Sequence, residues 1–167
     1  PTTSVQDLEK ADFHYKLGNG HFYEHEIHMA LKELTTALEI NPDHPDANHL
    51  MGFILYGRKE SARAERFYRT ALSLRPGFHE ARANLGVVLL SMRRWREAIE
   101  VLEPLTTQTL YATPWLVHNN LGYAHEQLGR RSKALKHYRL SIFHNPKFCL
   151  GYNNLGSIYK KFGQQDL

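Results

Sequence analysis

A single cysteine, Cys149, rules out an intrachain disulfide in this chain of 167 residues, and one thiol says little about the redox compartment. No apolar run approaches the length of a membrane-spanning helix. The formal net charge is only +4, with a pI near 9.2, and the chain lacks the dense Lys/Arg clustering of a nucleic-acid binder. It shows no nucleophile–base–acid set, phosphate-cradling loop or paired carboxylates, so the expectation is a non-catalytic chain with no cofactor and no metal. An initiator Met is also missing. The opening Pro-Thr-Thr-Ser reads as a trimmed segment, and a leader or lipid anchor upstream would leave no trace in it.

What the chain does have is repetition. Apolar residues make up 42% of it, enough for a core and against disorder. Gly18, Gly52, Gly86, Gly122 and Gly156 are spaced 34, 34, 36 and 34 residues apart, and Ala30, Ala64, Ala98 and Ala134 are spaced 34, 34 and 36. A fixed period in the thirties is the mark of a stacked helical repeat. The units are 11–44, 45–78, 79–114, 115–148 and a partial fifth, 149–167. Together they form one repeat domain over 1–167. Two extra residues lie between Ala98 and Gly122, and the stretch Pro104–Pro114 is their expected place.

Each unit reads as two antiparallel helices, A and B. Ser4 with Asp7 suits a helix start, because a short oxygen-bearing side chain can accept from a free first-turn amide. Asn41-Pro42, Arg75-Pro76 and Asn145-Pro146 place the ends of the B helices, since Pro can neither continue a helix nor leave its predecessor helical. Gly57, Arg93-Arg94, Gly129 and Gly163 are the expected turns between A and B. The Gly and Ala columns are small because helices A and B approach there, so enlarging Gly52 should overpack the contact.

These marks resemble the tetratricopeptide repeat family. Its Leu-Gly-x-x-Tyr, Ala-x-x-x-Phe and Pro appear as Met51-Gly52-x-x-Leu55, Ala64-x-x-x-Tyr68 and Pro76, and again as Leu121-Gly122, Ala134-x-x-x-Tyr138 and Pro146. His21 and His125 depart from it where Tyr or Leu is usual, and Leu105 where Ala is usual. The resemblance implies an all-α, right-handed superhelical solenoid with the A helices lining its concave face. That face would present Tyr15, Asn19, Phe22 and Tyr23 from unit one, His49, Phe53 and Tyr56 from unit two, and Asn84, Val87 and Leu90 from unit three. Units four and five would add Asn119, Asn120, Tyr123, Glu126, Asn153, Asn154 and Lys160.

Two features of that face invite a partner. Its first half is aromatic, which suits an apolar side chain or helix. Its later half repeats Asn84, Asn120 and Asn154 at one internal position, where amides could grip a peptide backbone; the alternative is a row of merely solvated amides. A clamp for C-terminal carboxylates would need Lys and Arg, but its positions hold Tyr15, Asn19, Leu50, Glu80 and Asn84. One repeat on, they hold His49, Phe53, Asn84, Leu116 and Asn120, so that activity is rejected. His21, His25 and His28 straddle the A-to-B turn near Glu24–His25 and read as structural or solvated rather than as metal ligands. The runs Arg93-Arg94-x-Arg96 and Arg130-Arg131-x-Lys133 read as solvated edges or as contacts for anionic lipid headgroups.

The 36-residue third unit, Thr109-Leu110-Tyr111 ahead of Pro114, and Val117-His118-Asn119-Asn120-Leu121-Gly122-Tyr123 make the chain similar to the pilotin lipoproteins of bacterial type IV pili, the PilF/PilW/Tgl group. This resemblance implies an array of about six repeats, a lipidated N-terminal Cys upstream, and a place on the periplasmic face of the outer membrane. It also implies a protein partner, the pilus secretin subunit, whose ring assembly the group promotes. Cys149 lies inside the array and cannot be the lipidated residue. A sixth repeat is expected beyond Leu167. The alternatives are a generic peptide-binding repeat adaptor, or the repeat arm of a glycosyltransferase-type enzyme.

Overall fold

The computed structural model describes residues 4–108, 112–161 and 163. Thr109-Leu110-Tyr111, which carries part of the likeness to the pilotins, and the closing Gln-Gln-Asp-Leu lie outside the described residues. The helices are α1 (Val5–Tyr23), α2 (Ile27–Ile40), α3 (Pro45–Gly57), α4 (Ser61–Leu74), α5 (His79–Ser91), α6 (Trp95–Leu102), α7 (Pro114–Gln127), α8 (Arg131–His144) and α9 (Cys149–Lys161), with a 3-10 helix at Glu103–Thr107. Among the described residues there is no strand.

Local chemistry sets the ends. Ser4 Oγ accepts from the Asp7 amide at 3.1 Å and caps α1. Pro45 and Pro114 open α3 and α7, where a missing N–H leaves no helical bond unmade. Helices α2, α4 and α8 stop at Ile40, Leu74 and His144, just ahead of the three X-Pro pairs. Asn41 and Asn145 then fold back, each Oδ1 accepting at 3.1 Å from the backbone amide two residues on. In unit three Pro104 follows the two α-helical turns of α6 and sits in the 3-10 segment.

The A-to-B turns share one device. His25, Lys59, Arg93, Gly129 and Gly163 take left-handed backbone, with φ of 63°, 66°, 59°, 69° and 69°. Each stands seven residues after a glycine of the repeat register. After the first four, the next amide reaches back to the carbonyl five residues earlier, as in Glu60 to Leu55 at 2.9 Å and Arg130 to His125 at 2.9 Å, closing a Schellman-type helix end. Gly57 is therefore not the turn residue expected of it: it is the last residue of α3, and Lys59 makes the left-handed step.

Contacts divide the chain into two compact units, Pro1–Val88 and Leu89–Leu167, with the boundary inside α5. In the first, α1 pairs with α2, α3 pairs with α4, and α2 packs on α3. Ala11, Ala30, Leu34, Leu55, Ala64 and Tyr68 are buried at its centre. A Cβ on Gly52 would stand 3.1 Å from the Tyr68 ring, so the small residue admits the aromatic of the facing helix. In the second unit α7 pairs with α8 and α8 with α9, around Leu102, Leu121, Ala134, Tyr138 and Ile158. There Gly122 is tighter still, its Cβ position lying 2.6 Å from the Tyr138 ring. The Tyr138 hydroxyl reaches across to donate to Glu126 Oε2 of α7 at 2.8 Å.

Candidate functional site

Helices α1 and α3 place the aromatic residues of the first unit around one cleft of about 360 Å³. It is lined by Tyr15, Asn19, Phe22, Tyr23, His49, Leu50 and Phe53. Successive turns of an A helix bring Tyr15, Asn19 and Phe22 onto one face. Phe22 is the hinge of the aromatic set, edge-on to Phe53 at 5.6 Å and to Tyr23 at 5.7 Å between ring centroids. Tyr23 is 73% exposed and Phe53 45%, although each packs on Phe22, and exposed aromatics gathered in this way mark a contact surface. Tyr56, one turn beyond Phe53, is half-buried at the edge of the face. Leu50, absent from the set expected to line the groove, closes the floor and is itself almost fully buried.

The end of the cleft at His49 is polar but internally satisfied. Arg75 donates to both carboxylate oxygens of Asp46, at 2.9 and 2.6 Å. This bond holds the Asp46 carboxyl below the usual range. The same guanidinium lies 4.7 Å over the Phe78 ring, which packs against His49 at 4.7 Å. Burial lowers the pKa of His49 and keeps its imidazole neutral. Burial, with Asp46 nearby, raises that of Tyr15. The residues lining the cleft include no Lys or Arg, so its chemistry is that of an apolar socket with hydroxyl and amide edges.

The later residues fall differently from the expectation. Asn84 Nδ2 donates to His49 Nε2 at 3.1 Å, and Asn154 Nδ2 donates to Asn119 Oδ1 at 2.8 Å. Two of the three amides expected to grip a peptide are therefore engaged with the A helix before them. Asn120, the third, is half-buried, as is Val87. Leu90, expected to present itself to a partner, is buried with 8% exposure and offers little surface for one. Tyr123 stays 40% exposed and meets Trp95 edge-on at 5.6 Å, an aromatic pair the repeat pattern did not single out.

A feature missed from sequence lies inside the second unit. His118 and His125 on α7 face His137 and His144 on α8. The Nδ1 atoms of His118 and His137 are 3.0 Å apart, so one imidazole must donate and the other accept. His144 stacks on His118 at 5.3 Å and His125 on His137 at 5.4 Å. Burial, with the neighbouring His144 and Lys136, lowers His118 to about 4; burial, with His118 and His125, brings His137 to about 4. His125 is also lowered, first by burial and then by Lys133 and Arg130, with Glu103 opposing. The sequence signal was available: both pairs are seven residues apart, on helices that the repeat makes antiparallel.

His21, His25 and His28 do not converge. His25 occupies the left-handed turn, and His21 Nδ1 instead meets Glu26 at 2.6 Å and Glu24 at 4.0 Å. Among the described residues, His21, Glu24 and Glu26 are the group whose potential ligand atoms gather within 4.8 Å. The hydrogen-bond contact of His21 with Glu26 across the turn accounts for their closeness. Also among the described residues, no helix is long and apolar enough to cross a membrane.

Two sequence models of the tetratricopeptide repeat match residues 55–109 and 83–146, together more than half of the chain. The chain is 28% identical over 131 residues to human tetratricopeptide repeat protein 6, covering 25% of that protein. It is also 28% identical over 134 residues to the type IV pilus assembly protein PilF of Pseudomonas aeruginosa, covering 80% of this chain and 53% of that relative. It thus spans about half, or less, of the curated relatives it matches. The solved structure of Pseudomonas aeruginosa PilF superposes with a TM-score of 0.81 at 24% identity, over 95% of this chain and 72% of that one. PilW, a type IV pilus biogenesis factor, also gives 0.81, at 21% identity over 92% and 70%. At these identities the superpositions establish the fold.

Proposed function

We propose that this chain, a member of the tetratricopeptide repeat family, is a non-catalytic scaffold that works in type IV pilus biogenesis. On this reading it is a pilotin-like factor of the cell envelope, held at the periplasmic face of the outer membrane by a lipid anchor upstream of Pro1. Its partner is the secretin subunit, and its task is to help those subunits assemble into a ring. Similarity to PilF and PilW supports the choice of pathway.

The observation that carries the binding role is the aromatic cleft of the first unit, where Phe22, Tyr23 and Phe53 remain accessible. Rings of this size dominate the energetics of small interfaces when a partner removes them from water. With no cation in its lining, the cleft selects an apolar anchor of the partner, such as one face of a short amphipathic segment, rather than a terminal carboxylate. The hydroxyl and amide edges supplied by Tyr15 and Asn19 would fix the direction of that segment.

The test is photo-crosslinking in the source cell. A benzoyl-phenylalanine at Phe53 should capture the secretin subunit, identified by mass spectrometry, while the same probe at exposed Arg66 of α4 should not. Absence of a secretin adduct at Phe53 in cells that make secretin would overturn the proposal.

A further inference from the structure

The net charge of +4 conceals an uneven placement. Residues 1–88 hold ten Lys/Arg and twelve Asp/Glu, a balance of −2; residues 89–167 hold eleven and five, a balance of +6. From Gln127 to Gly163 there are eight Lys/Arg and no Asp/Glu. This stretch is α8, α9 and the turns beside them.

The outward strip of α8 has an unusual composition for its position. A shallow depression there is lined by Ser132, Leu135, Lys136, Arg139, Leu140 and Phe143, recurring every three or four residues along one helix face. The repeat register puts Glu39 of α2 and Ser73 of α4 at the place of Phe143, and Thr36 and Thr70 at the place of Leu140. Phe143 is 77% exposed. Its counterparts Glu39 and Ser73 are also exposed, although further repeat helices follow them in the chain. The outward position is thus one that the repeat leaves open, and here it carries a phenylalanine among cations. Leu135 differs: its counterpart in α4, Glu65, is buried, so its own partial exposure carries no weight.

All six residues lining the depression belong to α8, so no second element supplies an opposite wall. A peptide needs a groove with two sides to be held, whereas a planar surface can lie against a single ridge. Cations around an exposed aromatic suit the interface of an anionic bilayer. The ring enters the headgroup layer, and each Lys or Arg near the surface adds attraction to anionic lipid. We propose that this face of α8, with Phe143 as the inserting residue, Lys136 and Arg139 on the same strip and exposed Lys133 at its flank, is a peripheral contact for an anionic lipid surface. The inference rests on this strip alone and does not depend on the secretin reading.

The test is co-sedimentation of the full chain with vesicles of mixed phosphatidylglycerol and phosphatidylcholine, against phosphatidylcholine alone. The expected result is binding to the anionic vesicles only, weakening as salt is raised. K133E/K136E should weaken it roughly tenfold or more. F143S should also weaken it, while K32E on α2 should not. In F143W, tryptophan emission should shift to the blue with anionic vesicles beyond any shift of the wild type. Circular dichroism melts would establish that the variants are folded. No binding at low salt, or equal binding by K133E/K136E and wild type, overturns the proposal. So does an F143W shift produced as strongly by soluble poly-glutamate, which would assign the strip to an acidic protein.

Discussion

Asn154 donates its side-chain amide to Asn119 at 2.8 Å across an interval of 35 residues, and Asn84 does the same to His49 at 3.1 Å across the same interval. In both cases an Asn beside the Leu-Gly of one A helix clasps the A helix before it. The repeated amide is thus a device for setting helix register, and its hydrogen-bonding capacity is partly used within the scaffold. Asn154→Ala and Asn84→Ala should each cost about 0.5–1.5 kcal/mol in urea unfolding. Asn120→Ala should fall within about 0.5 kcal/mol of wild type. A larger loss at Asn120 than at Asn154 would reverse the assignment.

The glycine register makes a graded prediction. Gly122→Ala places a methyl 2.6 Å from the Tyr138 ring and should cost about 1–3 kcal/mol. Gly20, outside that register, has nothing within 4 Å of its Cβ position and sits in α1. Gly20→Ala should therefore stabilise by about 0.5–1 kcal/mol through helix propensity. Thermal melts of the two variants should move in opposite directions; a shared direction would contradict the packing account.

Three of the five left-handed turn positions carry side chains, at His25, Lys59 and Arg93. Left-handed backbone costs an L-residue with a Cβ about 1–2 kcal/mol. Lys59→Gly, which loses a little of that gain to the freer unfolded chain, should still raise the melting temperature. Gly129→Ala should lower it. A lower melting temperature for Lys59→Gly would mean that its side chain contributes more than the strain costs.

The histidine stack gives the second unit a directional response to pH. His118 and His137, at about 4 in the fold against an ordinary value near 6.5, favour the neutral form in the folded state. Their contribution is therefore complete above about pH 6.5 and is lost as pH falls toward about 4. His125 shifts in the same direction, Lys133, Lys136 and Arg130 reinforce the effect, and Glu103 opposes it at His125. Over this window unfolding should take up one to two protons, read from the slope of stability against pH, and H118Q/H137Q should flatten that slope. An unchanged slope in the double variant would place the titration elsewhere.

Much of the fold was legible because its determinants are local. The X-Pro pairs, Ser4 and the glycine column fix helix ends and close approaches through chemistry that acts within a few residues. Errors arose where a residue type suggested one use and its register dictated another. Gly57 looked like a turn former, yet the repeat assigns the left-handed step to Lys59. Leu90 shares a helix face with residues that line the groove in other units, but it is buried. The asparagines were periodic, and periodicity alone does not tell whether an amide faces a partner or a neighbouring helix. The histidine stack needed two heptad spacings to be read together across an antiparallel pair.

The central claim, that the aromatic cleft of the first unit is where the partner binds, is tested most directly by counting secretin multimers. Phe22, Tyr23, Phe53 and Tyr56 would be changed together to Ala in the protein as the cell makes it, and heat-resistant multimers resolved on a gel. Tyr23 and Phe53 are exposed and Phe22 and Tyr56 half-buried, so the scaffold should keep its helical signal and a cooperative melt. The account predicts loss of multimers with secretin subunits still present. Normal multimers in cells carrying the folded variant would contradict it.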